Sequence, residues 1–166
     1  MFALKPISHD SISGALAKAE RYRLLNEPGE AESICRDILA IEPDHQQALI
    51  SLILALTDEI PHDAHAFKNA VALVDLLQSP YDRAYYAGIA WERRAKARHN
   101  GGGQGSHHYA YDWVTKALDL FAEAEALRPA ANDDAVLRWN ACVRFLMQHK
   151  ELAPRTEDLA EPIVSE

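Results

Sequence analysis

The sequence contains little cysteine, no long apolar run and no excess of positive charge. Its 166 residues include two cysteines, Cys35 and Cys142, both inside apolar helical patterns where a free thiol behaves as a small buried hydrophobe. Two cysteines so placed do not form a disulfide framework, which favours a reducing, cytoplasmic compartment. No run of about 18 apolar residues predicts a membrane span, and no basic leader followed by an apolar run predicts a secretory signal.

Acidic residues outnumber basic residues, 25 against 17, and the formal net charge is −8 at pH 7. Proteins that bind nucleic acid generally present a basic face, so this balance disfavours general nucleic-acid binding. Hydrophobic residues make up 48% of the chain. That fraction is sufficient for one domain of ordinary size with a buried core.

Apolar residues recur at steps of three and four through seven segments, which is the period of an amphipathic helix. No segment shows sustained alternation, so we predict an all-α fold of about seven helices without strands. Proline and glycine separate the segments. The predicted parts are a lead at 1–9, helical hairpins at about 10–42, 44–78 and 82–127, a last helix at about 133–149, and an acidic, proline-containing, disordered tail at 150–166.

Four of the seven glycines fall between Asn100 and Ser106, so we expect a loop there. The sixth helix is expected to start near Tyr109, and Asp44 is expected to cap the third helix. The third hairpin is then unusually long. Its tip, 100–108, is predicted to be a mobile and partly basic loop.

Small and aromatic residues recur at the offsets of a known helical repeat. The first hairpin carries Ala19, Tyr22, Ala31 and Pro43, and the third carries Gly88, Trp91, Ala117, Phe121, Ala124 and Pro129. On these residues the chain resembles the tetratricopeptide repeat (TPR) family, whose unit is a pair of antiparallel helices with a period of about 34 residues. The resemblance covers about 10–149, and the second repeat departs most, with a short insertion near Pro61.

The resemblance implies a right-handed solenoid of helical hairpins, in which each hairpin buries its apolar face against the next. Small residues such as Gly88 would let paired helices approach closely, and Trp91 would fill the space between hairpins. The last helix would act as a cap, with Trp139 and Phe145 covering the open end of the stack.

In this family the first helix of each repeat lines a concave groove, and an apolar groove with charges at its edges suits a peptide or protein segment. The resemblance therefore implies a non-enzymatic adaptor or chaperone-like module that binds a protein partner. The alternative for Leu54 and Ile89 is a place in the core. The implied lining is Leu16, Glu20, Arg23, Gln47, Ile50, Leu54, Asp58, Tyr85, Ile89, Glu92 and Arg93.

Two other functions stay open. Arg94, Lys96 and Arg98 continue a basic run from Arg93 into the glycine-rich loop, so the segment 93–108 is a candidate site for an anion or a nucleic acid. The same cations also suit a solvated helix end. Self-association as a homodimer is the second alternative, and the tail segment 159–164 is a candidate occupant of the groove.

The histidines and cysteines do not predict chemistry. His99, His107 and His108 flank the loop, and His62 and His65 lie at another turn, but neither group has a cysteine nearby. A metal site needs three or four converging ligands, so we expect no metal and no cofactor. No serine or cysteine stands in a nucleophile motif, so we expect no enzymatic activity.

Overall fold

Helices account for the regular secondary structure of residues 2–155, the residues that the computed structural model of this chain describes. No strand occurs among them, so the all-α prediction is confirmed for this part of the chain. The helices are α1 (Ile12–Leu24), α2 (Pro28–Ile41), α3 (Gln46–Glu59), α4 (Ala66–Val74), α5 (Pro80–Gly101), α6 (Ser106–Leu127) and α7 (Asp134–Gln148), and a 3₁₀-helix at His9–Ser11 precedes α1.

The helices pack in chain order. Each of α1 to α6 contacts the helix that follows it, and the long helices α5 and α6 form the most extensive contact. The first helices of successive hairpins also meet, because α3 contacts both α1 and α5. Helix α7 packs against α6 and reaches α5. Helix α5 is therefore the central element, in contact with α3, α4, α6 and α7.

Two helix ends differ from the sequence prediction. His45, rather than Asp44, caps α3, because its Nδ1 accepts a hydrogen bond from the backbone N–H of Ala48 at 3.1 Å. The expected loop is also shorter, since α5 continues to Gly101 and α6 begins at Ser106. Only residues 102–105 form the α5–α6 turn. Three glycines there have φ between 62° and 96°, a backbone region that glycine adopts without steric cost.

The core has two main parts, and each contains one of the cysteines. Cys35 is fully buried in a cluster formed by the first two hairpins. Cys142 of α7 is 1% exposed and shares a second cluster with Ile89 and Phe121. Trp139 and Phe145 of α7 pack against this second cluster. Helix α7 thus packs against the α5–α6 hairpin, and these two aromatic residues are part of the contact.

The first residues of the predicted tail are not detached from the fold. Leu152 is only 6% exposed, and His108 Nδ1 lies 3.0 Å from the backbone oxygen of Ala153. Part of 150–155 therefore contacts the helical part of the protein. Residues 156–166, which include the segment 159–164, lie outside the described residues. Within the described part, no helix is both long enough and apolar enough to cross a membrane.

Candidate functional site

A cleft of about 490 Å³ opens where α3, α5 and α7 meet. We call it the inner cleft. Three of the predicted groove residues, Asp58, Glu92 and Arg93, line it. The complete lining is Thr57, Asp58, Pro61, Glu92, Arg93, Lys96, Ala97, Asn100, Gly101 and Arg138.

Asp58 joins three helices through two ion pairs. Arg23 Nε of α1 donates to Asp58 Oδ2 at 2.9 Å, and Arg93 Nη1 of α5 donates to Asp58 Oδ1. The side chains of Arg23 and Asp58 are each 20% exposed. Hydrogen bonds between such ionised and partly buried groups are stronger than those between neutral groups. Three of the five charged residues in the predicted groove therefore converge, and they pair with one another.

Glu92 is the most deeply buried charged residue of the cleft. Its side chain is 1% exposed, and it accepts from Lys96 Nζ at 2.5 Å and from Arg138 Nη1 at 3.5 Å. A buried carboxylate needs cationic partners to offset its lost hydration. Lys96 lies one helical turn after Glu92, so the sequence allows that pair. Arg138 lies 46 residues away on α7, and no sequence signal connected the two.

The inner cleft holds more positive than negative charge. The cleft is lined by three cations, Arg93, Lys96 and Arg138, and by the carboxylates of Asp58 and Glu92. A fourth cation, Arg23, is not in the lining but pairs with Asp58. Burial, and then the nearby Arg23 and Arg138 guanidinium groups, lower the pKa of Arg93 to about 10. Burial acts to lower the pKa of Arg138, but Glu92, Tyr85 and Cys142 together outweigh burial, so the pKa of Arg138 is raised. Arg93 is thus repelled by both Arg23 and Arg138.

The other predicted groove residues do not line this cleft. Ile89 is 2% exposed in a cluster that also contains Phe121 of α6 and Cys142 of α7, so its place in the predicted lining is corrected to a place in the core. Leu54 and Tyr85 are half-buried and pack against the same cluster. Leu16 and Ile50 pack against core residues of the first two hairpins. Glu20 and Gln47 are exposed and lie outside the cleft lining.

The basic run does not assemble into one anion site at the hairpin tip. The Arg94 guanidinium lies 4.1 Å from the ring centre of Phe67 and 4.0 Å from that of Trp113, a cation–π arrangement. Lys96 turns into the inner cleft instead. Arg98 Nη2 donates to the backbone oxygen of Gln104 at 3.2 Å. Lys96 therefore lies apart from Arg94 and Arg98, which are one helical turn from each other and line a separate cleft with Lys68 and Asp63.

Two histidines of the predicted loop come together with a residue of the tail. Ligand atoms of His99, His107 and Glu151 all lie within 4.8 Å of one another. The sequence pattern missed this group because Glu151 follows α7 and is distant along the chain from both histidines. His62 and His65 are not part of it.

The two thiols lack the properties of a nucleophile. Burial raises the pKa of Cys35 to about 11 and that of Cys142 to about 12. Both thiols are therefore protonated at neutral pH, and a thiol that is buried and protonated is inert.

Comparison with known proteins gives no family assignment, since no family model matches the chain and no curated protein or solved structure matches it. The TPR resemblance therefore rests on its residue pattern.

Proposed function

We propose that this chain is a non-enzymatic protein-interaction module, an adaptor or chaperone-like protein, that binds an acidic segment of a partner protein in the inner cleft. One observation carries the proposal. A chain with a net charge of −8 gathers Arg23, Arg93, Lys96 and Arg138 around only two carboxylates. Charge complementarity of this kind selects partners of opposite sign and accelerates their association.

The framework we infer is a right-handed, TPR-like solenoid of three hairpins with α7 as its cap. It is supported by the contacts of α3 with both α1 and α5, since the first helices of successive TPR repeats are neighbours. The close approach of α5 and α6 at Gly88 also fits the family's small-residue position. In such a framework the inner cleft lies on the face that the family uses for ligands.

The cations of the cleft keep N–H donors that their ion pairs with Asp58 and Glu92 do not use. An arginine has five N–H donors and a lysine has three, and the ion pairs of Arg93 and Lys96 use one donor each. A partner carboxylate that enters the cleft would accept some of the remaining donors. It would also relieve the mutual repulsion of the cations. The cleft volume is within the range of about 300–1,000 Å³ found for ligand sites.

Other functions have less support. The raised thiol pKa values favour a non-enzymatic role, and two buried unpaired cysteines favour a reducing cytoplasm. Lys96 faces the inner cleft, Arg94 lies over two aromatic rings and Arg98 donates to the Gln104 backbone oxygen, which weighs against anion or nucleic-acid recognition by these three cations at the hairpin tip. No contact among the described residues selects a face for a homodimer.

A peptide-display selection tests the proposal. Random peptides would be selected on the full chain, and fluorescence anisotropy would give the affinity of the enriched peptides. We expect enriched peptides to carry aspartate and glutamate, and we expect Arg93→Met and Arg138→Met to weaken them about tenfold or more, because a charge-assisted hydrogen bond is worth about 1.5–3 kcal/mol.

Arg144→Met is the matched control, because Arg144 is an exposed arginine on the same helix as Arg138. It should leave the affinity unchanged. Circular dichroism melting would establish that each variant is folded. Enrichment of peptides without acidic residues, or equal losses in Arg138→Met and Arg144→Met, would refute the proposal.

A further inference from the structure

Three parts of the fold bring metal-ligating side chains to one point, away from the inner cleft lining. His99 is in the last turn of α5, His107 is in the first turn of α6, and Glu151 follows α7. One ligand atom from each lies within 4.8 Å of the other two. The α5–α6 turn fixes the two histidines near each other, and the packing of Leu152 holds the segment that carries Glu151.

The imidazole of His99 is not used by the protein's own hydrogen bonds. Its side chain is 12% exposed, and its Nδ1 is buried without a hydrogen-bond partner among the described residues. Its Nε2 lies 3.8 Å from Glu151 Oε1, beyond hydrogen-bond range. A buried polar side chain normally finds a partner. His99 is an exception, and it lies beside the His107 imidazole and the Glu151 carboxylate.

A further imidazole borders the group. The ring centre of His149 is 4.3 Å from that of His99, and His149 Nδ1 lies 3.2 Å from Glu151 Oε1. Two imidazoles and one carboxylate are a ligand set that zinc and neighbouring divalent transition metals favour. A fourth position would be filled by water or by His149.

We propose that His99, His107 and Glu151 form a binding site for a zinc-class divalent metal ion, which fastens the segment after α7 to the end of the α5–α6 hairpin. Tetrahedral zinc, with bonds of about 2.0–2.1 Å, holds its ligand atoms roughly 3.3 Å apart. Ligands that now lie within 4.8 Å would therefore close by at most about 1.5 Å. Glu151 is on a non-helical segment and His107 is exposed, so both can move that far. The inference is independent of the proposed function.

Zinc titration of the full chain tests the site. The protein would be freed of metal with a chelator and titrated with ZnCl₂ in a calorimeter, and with CoCl₂ for the visible absorption of tetrahedral Co²⁺. We expect one ion per chain. Because the loss of even an indirect partner of a metal ligand weakens binding about 10–100-fold, His107→Ala and Glu151→Gln should each weaken zinc binding at least about tenfold.

The variants are chosen to keep the fold intact. His107 and Glu151 are exposed, whereas His99 packs against Phe145 and is left unchanged. His62→Ala is the control for nonspecific histidine binding, because His62 is exposed and lies outside the group. Zinc binding that is absent, that survives both ligand variants, or that falls equally in His62→Ala would overturn the proposal.

Hydrogen exchange gives a second measurement that does not depend on affinity. If zinc fastens the segment after α7, exchange of the Leu152 amide, which donates to the His149 oxygen at 2.9 Å, should slow when ZnCl₂ is added. The slowing should be lost in Glu151→Gln. Equal slowing in the wild type and this variant would contradict the role of Glu151.

Discussion

The ring of Phe121 lies directly against the backbone of Gly88, so that a Cβ atom added at Gly88 would be 2.6 Å from Phe121 Cε1. Phe121 is fully buried and cannot move aside. The approach of α5 to α6 therefore depends on the absence of a side chain at one position.

Gly88→Ala should consequently destabilise the protein, although alanine is the better helix former by about 1 kcal/mol. Overpacking in a core costs about 1–3 kcal/mol, so we expect a net loss of about 1–2 kcal/mol in the free energy of unfolding, measured with urea. Combining it with Phe121→Leu should recover about 1 kcal/mol relative to the sum of the single changes. Gly14→Ala is the control, since nothing lies within 4 Å of a Cβ there. If both alanine variants are stabilised, the close contact is absent.

Asp58→Asn should weaken the junction of α1, α3 and α5. It leaves the Arg23 and Arg93 guanidinium groups without their carboxylate. Because these groups are only partly exposed, we expect a loss of about 1–3 kcal/mol in unfolding free energy, less than for a fully buried pair. Glu32→Gln removes the partner of the more exposed Arg36 and should change stability by less than about 0.5 kcal/mol. Equal effects of the two changes would argue against a special role for Asp58.

Trp91→Ala tests the packing between hairpins. The Trp91 ring meets Phe67 of α4 edge-on at 4.8 Å and lies 6.4 Å from Trp113 of α6. Removal of a core aromatic costs about 3–5 kcal/mol, and the partial exposure of Trp91 lowers our expectation to about 2–4 kcal/mol. Leu137→Ala, at a position that is 63% exposed, should cost less than about 0.5 kcal/mol. A loss below about 1 kcal/mol in Trp91→Ala would show that the ring does not carry this packing.

Alkaline pH should destabilise the fold through its thiols. Burial raises the pKa of Cys35 from 9.0 to about 11 and that of Cys142 from 9.0 to about 12, so the folded state holds these protons more tightly than the unfolded state. The resulting stability is fully present below about pH 9 and is lost as the pH rises toward 11–12. Burial of Tyr86, whose pKa rises to about 12, acts in the same direction.

Urea unfolding at successive pH values above neutrality measures this dependence. The double variant Cys35→Ala and Cys142→Ala should lose stability less steeply than the wild type, because the contribution of the two thiols is removed. The same slope in both proteins would mean that the thiols titrate alike in the folded and unfolded states.

Local chemistry explains why the helix bounds could be predicted from the sequence. Pro28 and Pro80 occupy first turns of helices, and the Ser79 side chain accepts from the Asp82 amide at 3.2 Å to cap α5. Such signals act within a few residues. The α5–α6 turn lies within the predicted loop, 100–108, but it is shorter than predicted. Glycines with positive φ can reverse the chain within a few residues, so residues 102–105 are sufficient.

The candidate site was predicted only in part. Hydrophobic periodicity shows which face of a helix is buried, but it does not show which other helix packs against that face. Asp58, Arg23 and Arg93 were assigned to one surface, and they meet there. The pairing of Glu92 with Arg138 depends on α7, and Ile89 is buried in a cluster that includes Cys142 of α7. Nothing in the sequence placed α7 against that side of α5. The same holds for Glu151, which reaches His99 only through the path of the chain after α7.

The order of packing also bears on how the chain folds. Most helix contacts join neighbours in sequence, and the largest of them, α5 with α6, is closed by the four residues 102–105. Short closures cost little chain entropy, and helical proteins rich in such local contacts fold within microseconds to milliseconds. We therefore expect folding to begin at the α5–α6 hairpin. The ion pairs of Asp58 span 35 residues on either side, so we expect them to form later, when the hairpins dock.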